Sequence, residues 1–319
     1  MAAGRRSACW AGLLMAWPAL AQAEDTATGF GALQTPAGVV APVPDLAFGA
    51  FQRGYFATAL KEAMDRIAKN PHDGAAMALV GEIYAQGMAV NKDLAEAARW
   101  NKLASLQGNR EAIFAYGMAL LEGKGVPKDR VAAQTYLEKA AEADHPGALY
   151  NLGIMAIQGD LKTRDFPKAA AYFQRAADAG DVDALEALSA LYRQGRGVPQ
   201  NLPKAIDLLK QAADGQDSGA AVQYAIILFN GEGVPKDEAA AARYFLRAAA
   251  AGNPIAENRV ARLYAAGRGL AKNVVEAARW HVLARAAGIK DAWLDGILTS
   301  LTPAERTKVE DLVKRQLAF

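Results

Sequence analysis

The sequence predicts an all-α fold: an α-solenoid of six 36-residue helix–turn–helix repeats with helical caps at both ends. Three observations carry that expectation. A glycine recurs every 36 residues, at Gly87, Gly123, Gly159, Gly195, Gly231 and Gly267. Three alanine columns keep the same step, one from Ala76 to Ala256, one from Ala97 to Ala277 and one from Ala104 to Ala284. Between these markers the apolar residues fall at helical spacing. In the first unit Ala76, Val80, Ile83 and Tyr84 mark one amphipathic helix, and Ala97, Trp100 and Ala104 mark a second. Six such units run from Gly74 to Ile289.

Taken in chain order, residues 1–23 read as an export signal. Arg5 and Arg6 supply the charge, Ala8 to Leu20 the apolar run, and Ala21-Gln22-Ala23 the small residues before a cleavage point at Glu24. The run is shorter than the roughly 20 residues that span a bilayer, so a cleaved signal and a periplasmic or secreted protein are expected. Cleavage lowers Lys+Arg from 36 to 34, equal to the 34 Asp+Glu, and removes the single cysteine, Cys9. A chain so near neutrality lacks the basic field that nucleic-acid binding uses. An exported chain without cysteine must hold together by packing alone. Residues 24–44, with Pro36, Pro42 and Pro44, read as a flexible leader. Residues 45–73 read as a degenerate capping pair, Asp45 to Arg53 and Tyr55 to Lys69, about Gly54.

Within the units the recurrent glycine marks the end of the first helix, where a left-handed residue closes the last turn. In the second unit, Glu122-Gly-Lys-Gly-Val-Pro-Lys-Asp129, Pro127 cannot continue that helix and Asp129 can cap the next. The column Asp93, Asp129, Asp165, Asn201, Asp237, Asn273 holds only good N-cap residues. A glycine-rich string ending in lysine also resembles a phosphate cradle, but a phosphate loop follows its lysine with Ser or Thr and does not recur six times. The turns of units one, three and six depart from the pattern, with Ala89 and Asn91, Asp160 to Arg164, and Leu270-Ala271, and are expected to be longer, looser or differently angled. Small residues at Gly81, Gly117, Gly153, Ser189, Ala225 and Ala261 are expected to interlock with large ones at Trp100, Tyr136, Tyr172, Leu208, Tyr244 and Trp280.

The recurring pattern A-x-x-x-L-G-x-x-Y-x-x-G-x-G-V-x-x-D, followed by A-x-x-W and a late alanine, resembles the Sel-one-like repeat family, relatives of the tetratricopeptide repeats. It covers about two thirds of the chain. The resemblance implies a right-handed solenoid that holds a protein segment, a peptide or a helix, against a concave surface lined by the first helices. After the array, residues 290–319 read as C-terminal capping helices. Lys290 to Ser300 looks like one more first helix with Ala292 continuing the alanine column, and Thr302-Pro-Ala-Glu305 looks like a capping box.

Packing columns must stay apolar, so binding is expected where the chemistry changes from unit to unit. One stripe on the first helices does so at i, i+4, i+7. It reads Ala78, Glu82, Ala85; Phe114, Met118, Leu121; Tyr150, Ile154, Ile157; Glu186, Ala190, Arg193; Val222, Ile226, Phe229; Asn258, Arg262, Ala265. Units two, three and five are apolar there, and units four and six carry charge. Two readings stand open: a groove with apolar anchors Phe114, Met118, Leu121, Tyr150, Ile154 and Ile157, or a stripe consumed in packing between repeats. A turn column, Lys92, Lys128, Arg164, Lys236 and Lys272, could offer a basic rail to an anionic polysaccharide, but each member is followed by Asp or Asn.

No catalytic, cofactor or metal constellation emerges, so the expectation is a binding protein rather than an enzyme. Of three histidines, His72 and His145 fall at junctions between hairpins, and His281 sits in a column otherwise filled by Asn101, Leu137, Phe173, Leu209 and Phe245. Such a histidine is usually hydrogen-bonded within the packing. Members of the resembled family include exported regulators of membrane sensor kinases and of envelope polysaccharide production. That resemblance implies an adaptor in envelope signalling or exopolysaccharide control and leaves the partner open.

Overall fold

The computed structural model describes residues 45–159 and 163–317. The expected signal and leader, residues 1–44, lie outside the described residues. The described chain is all-helical, with sixteen helices. Two short elements lead, α1 (Leu46–Gln52) and α2 (Phe56–Lys69). Six first helices follow: α3 (Gly74–Gln86), α5 (Arg110–Glu122), α7 (Pro146–Gln158), α9 (Val182–Gln194), α11 (Ser218–Asn230) and α13 (Pro254–Ala266). They alternate with six second helices: α4 (Leu94–Leu106), α6 (Arg130–Glu142), α8 (Phe166–Asp178), α10 (Leu202–Asp214), α12 (Glu238–Ala250) and α14 (Val274–Ala286). α15 (Ala292–Ser300) and α16 (Pro303–Leu317) end the array.

All twelve repeat helices are 13 residues long, which makes each about 20 Å. Each first helix packs on the second helix of its own unit, and each second helix packs on the first helix of the next. Neighbour-to-neighbour stacking of this kind is a solenoid. The three alanine columns lie at its centre, with Ala76, Ala148, Ala184, Ala220 and Ala256 fully buried in the first and Ala104, Ala140, Ala176, Ala212 and Ala284 in the third.

The turn between the helices of a unit opens on the same glycine and closes on the same cap bond in every unit. Its glycine is left-handed in all six units, with φ between 65° and 77°. The cap residue then works twice. In unit two the Asp129 N–H donates to the Leu120 carbonyl at 2.9 Å, while the Asp129 carboxylate accepts from Val131 and Ala132 N–H at 3.1 and 2.9 Å. Units one and six, whose turn sequences diverge, close alike: Asp93 N–H to Tyr84 O and Asn273 N–H to Tyr264 O are both 3.0 Å. In unit three Asp165 N–H reaches Ala156 O at 2.9 Å. The expectation of looser turns is therefore corrected in units one and six, because the closing bonds use the glycine and the cap and not the residues between them. Residues 160–162 of unit three lie outside the described residues.

The second turn glycine answers to its neighbour. A Cβ on Gly125, where φ is +75°, would stand 1.9 Å from the Leu94 carbonyl oxygen of the preceding unit. In unit one the same position is Ala89, exposed and held at φ 63°.

Two further expectations are corrected. In units one and three the small residue meets the residue after the large one, a Cβ on Gly81 standing 2.6 Å from Asn101 and one on Gly153 2.5 Å from the Phe173 ring, whereas in unit two a Cβ on Gly117 would meet the expected Tyr136 first (3.1 Å) and Leu137 next (3.4 Å). Neighbours on a helix are 100° apart, so either of two adjacent large residues can face the small one, and Asn101 and Phe173 do so in units one and three. Ala292 is exposed, unlike the column it extends. It opens a nine-residue helix with no full partner, and α16 instead folds back on α14, where Leu301 and Val309 bury Ala278. The Thr302 capping box is formed, with Thr302 N–H to Glu305 Oε2 at 2.9 Å and Glu305 N–H to Thr302 Oγ1 at 3.3 Å.

Gly125→Ala is expected to lower stability by about 3 kcal/mol, since strain and a backbone collision add. Ala89→Gly, which only relieves a left-handed alanine, should raise it by up to about 1 kcal/mol. Thermal unfolding of the two single variants beside the parent checks both signs.

Candidate functional site

The first-helix stripe divides into residues that pack and residues that face out. Phe114 (3% exposed) and Val222 (6%) are buried. Phe114 stacks on the His145 ring at 4.2 Å and lies beneath Gly147, so it joins units two and three and offers no anchor to a ligand. Met118, Leu121, Tyr150, Ile154 and Ile157 are partly buried around the cluster that Phe114, Leu149 and Leu152 centre. Ile226 and Phe229 are partly buried farther along, with the Arg268 guanidinium over the Phe229 ring at 4.2 Å. Arg193, Glu82 and Arg262 are exposed, and Glu186 is half-buried. The structure thus brings together five apolar anchors of units two and three, separates them from Ile226 and Phe229 by the polar unit four, and withdraws Phe114 and Val222 into the core.

The helix junctions between units supply features that the sequence reading passed over. A second left-handed column, Gly108, Asp144, Gly180, Gln216, Gly252 and Gly288, ends the second helices. Its next residue caps the following first helix in five units: Asn109, His145, Asp181, Asp217 and Asn253 accept from the backbone N–H three residues on. The Gly-Asn and Gly-Asp pairs at 108–109, 180–181 and 252–253 carried that signal. His145 is an unusual cap. Its Nδ1 accepts from Ala148 N–H at 3.2 Å, so the ring proton sits on Nε2, which donates to Glu111 Oε2 at 3.0 Å. That bond, with Arg110 beside it, holds the Glu111 carboxyl at about 2.

Acidic side chains gather at the N-termini of α9 and α11. Asp183, Glu186 and Asp217 face one another there, Gln223 donates to Glu186, and Tyr150 lies close enough that burial and these charges push its phenol up to about 12. Burial and mutual repulsion raise both Asp183 and Glu186, and burial pushes Asp181 up to about 6. No Lys, Arg or His nitrogen lies within 4.0 Å of these four carboxylates among the described residues. A cleft of about 390 Å³ adjoins them, lined by Asp214, Asp217 and Arg247, but Arg247 donates to the Ala213 carbonyl and lies 3.9 Å from Asp214. No three His, Cys, Asp or Glu side chains among the described residues converge as a metal ion would need.

The end of the array looks different. Arg262 Nε donates to Asp291 Oδ2 at 2.6 Å, Asn258 donates to the same oxygen at 2.9 Å, and the guanidinium lies over the exposed Trp293 ring at 5.6 Å. His281 is fully buried, and its Nε2 contacts Asp295 Oδ1 at 2.9 Å, tying α15 to the last repeat. Of the turn cations, all are exposed and Lys236 is paired with Glu238 at 2.9 Å.

A group whose folded pKa is raised from 3.8 to about 6 favours the folded state while protonated, and that contribution is lost as pH rises through this window. Asp181→Asn keeps the cap and removes the charge, so it should stabilise the chain by about 1–2 kcal/mol above pH 6 and have little effect near pH 3. Chemical unfolding at the two pH values reads the difference.

Comparison with known proteins agrees with this architecture. The Sel1 repeat model matches six consecutive segments, residues 74–109, 110–145, 146–181, 182–217, 218–253 and 254–289, more than half of the chain. The chain is similar to the crystal structure of a Sel1 repeat protein from Oxalobacter formigenes, with 29% identity and a TM-score of 0.69 over 76% of this chain and 98% of that one. It is also similar to c5321, a protective antigen of uropathogenic Escherichia coli strains displaying an SLR fold, with 20% identity and a TM-score of 0.48 over 82% of this chain and 64% of that one. No curated protein matches the chain. Six contiguous matches in register with the helical hairpins place the chain in the Sel1 repeat family.

Proposed function

We propose that the protein is an exported scaffold or regulatory adaptor that captures a segment of a partner protein along its first-helix face. Helical repeats of this family are generally protein-interaction scaffolds, which supports the class. The observation that carries the reading is the run of five half-buried apolar side chains, Met118, Leu121, Tyr150, Ile154 and Ile157, on adjoining helices. Apolar side chains that packing leaves partly open gain stability when a partner covers them, at about 25 cal/mol per Å² of apolar surface. Glu186, Arg193 and Arg262 supply charge farther along the same stripe, where Ile226 and Phe229 continue it. Export follows from the charged, apolar and small-residue segments of residues 1–23, and the pathway we favour is envelope signalling or exopolysaccharide control.

A polysaccharide-binding role for the turn lysines draws less support, because Lys236 is already paired and Asp or Asn follows every member of that column.

Met118→Asp combined with Ile154→Asp is expected to abolish recovery of a crosslinked partner from intact cells while leaving the helical circular-dichroism signal unchanged. Undiminished recovery by the folded double variant removes the groove from consideration. N-terminal sequencing of the mature protein should begin at Glu24; a chain that retains Met1 and stays in the cytoplasm refutes export.

A further inference from the structure

One of the side chains that cap the first helices can turn from acceptor to donor. Asn109, Asp181, Asp217 and Asn253 cap through an oxygen, whereas α7 is capped by a ring nitrogen, His145 Nδ1. A carboxyl oxygen that gains a proton still has a lone pair to offer the backbone. A ring nitrogen has only one, and a proton placed there ends its use as an acceptor. Histidine is the side chain that passes between these states near neutral pH.

The His145 ring is held on three sides. Phe114 lies against one face at 4.2 Å with the planes 23° apart, Nε2 donates to Glu111 at 3.0 Å, and Nδ1 accepts from Ala148 N–H at 3.2 Å. That N–H also reaches the His145 carbonyl at 3.1 Å, so a shared bond closes the first turn of α7. His145 is 4% exposed, and turning the ring toward water would give up both the stack and the Glu111 bond. The charged groups around it come from three elements and from its own chain neighbour. Glu111 and Arg110 stand at the start of α5 and pair at 3.0 Å. Asp144 precedes the ring and pairs with Arg175 of α8 at 2.6 Å. Asp181 caps α9, close enough for a charge on His145 to lower it. Glu111, held at about 2, stays ionised through the neutral and mildly acidic range, whereas Asp181, at about 6, titrates within it.

We propose that His145 makes the joint between units two and three responsive to acid. At neutral pH Nδ1 caps α7. On protonation the imidazolium keeps its stack on Phe114 and tightens on Glu111, so the ring stays seated and the new N–H faces that of Ala148. Two donors then meet where one bond stood, and a cation stands at the positive end of a helix. The part that yields is the first turn of α7, from Pro146 to Leu149. The joint lies between α5 and α7, which carry the five half-buried apolar side chains, so acid also loosens the face we read as the binding surface. That consequence rests on the reading of the face; the joint does not.

Amide hydrogen exchange of the full chain at about pH 7.5 and about pH 5.5, on either side of the histidine range, reads the joint without any partner. Each rate is divided by that of an unstructured amide at the same pH. Protection at Ala148 is expected to fall about fivefold at the lower pH, the loss of one capping bond. Ala112 and Ala256, capped by Asn109 and Asn253, should hold theirs. His145→Asn installs the cap of those junctions and should abolish the fall. Glu111→Gln keeps an acceptor for Nε2 but removes the anion that favours the imidazolium, so the fall should move to lower pH. Asp181→Asn, which removes the other group titrating in this window, should leave it in place. Equal protection of Ala148 at the two pH values, or the same fall in His145→Asn, overturns the joint. A fall that Asp181→Asn abolishes assigns the response to Asp181 and overturns it as well. If Ala148 responds while recovery of a crosslinked partner is the same at both pH values, the link to the face is overturned and the joint stands.

Discussion

One residue in each repeat joins two helices, and the solenoid depends on it. Asp129 donates its N–H to the Leu120 carbonyl near the end of α5, and its carboxylate accepts the first free N–H groups of α6. Both ends of a sharp connection are thereby satisfied from a single point, which fixes where the second helix starts relative to the first. The left-handed glycine before it reverses the chain without a steric penalty. With that angle repeated six times, each hairpin presents the same apolar flank at the same height, and the alanine columns can close to full burial. Alanine at these positions leaves little volume to absorb error, so the helices must arrive in register or a void opens.

Most of this architecture was legible in the residues. The period, the caps and the alanine columns are local or strictly repeated, and physical chemistry allows them one interpretation. Less legible was what depends on rotation and on the next unit. The partner of the small column shifts by one residue in units one and three but not in unit two, because 100° of rotation separates neighbours on a helix and sequence alone does not say which of two adjacent large residues faces the axis. Ala292 matched its column in spacing but had no following second helix to bury it. Of the stripe residues, Phe114 and Val222 are buried, and Phe114 lies beside the N-terminus of the next first helix, a contact that no pattern within one unit reveals. The junction caps were visible as Gly-Asn and Gly-Asp pairs. The histidine and glutamine variants of that junction, at His145 and Gln216, obscured the column.

The electrostatics vary along an otherwise uniform frame. The two ends of the array bind their own carboxylates, through Arg66 at one end and Arg262 at the other. In the middle, His145 serves as a cap that also bonds Glu111, and among the described residues the next two junctions carry carboxylates with no cation within 4.0 Å. A packing frame built from alanine and glycine tolerates this variation because the changing residues sit outside the columns that set the spacing. The residues that set the spacing and those whose charge varies therefore occupy different positions of the same 36-residue unit.

The uniform closing bond has a consequence for how such a chain can change. Since every hairpin meets its neighbours through equivalent surfaces, inserting or excising one whole unit leaves each remaining helix with a partner of the right shape. Ancestral lengthening or shortening can then proceed in whole modules, shifting the distance between distant surface patches by a fixed stride without redesigning the scaffold that carries them.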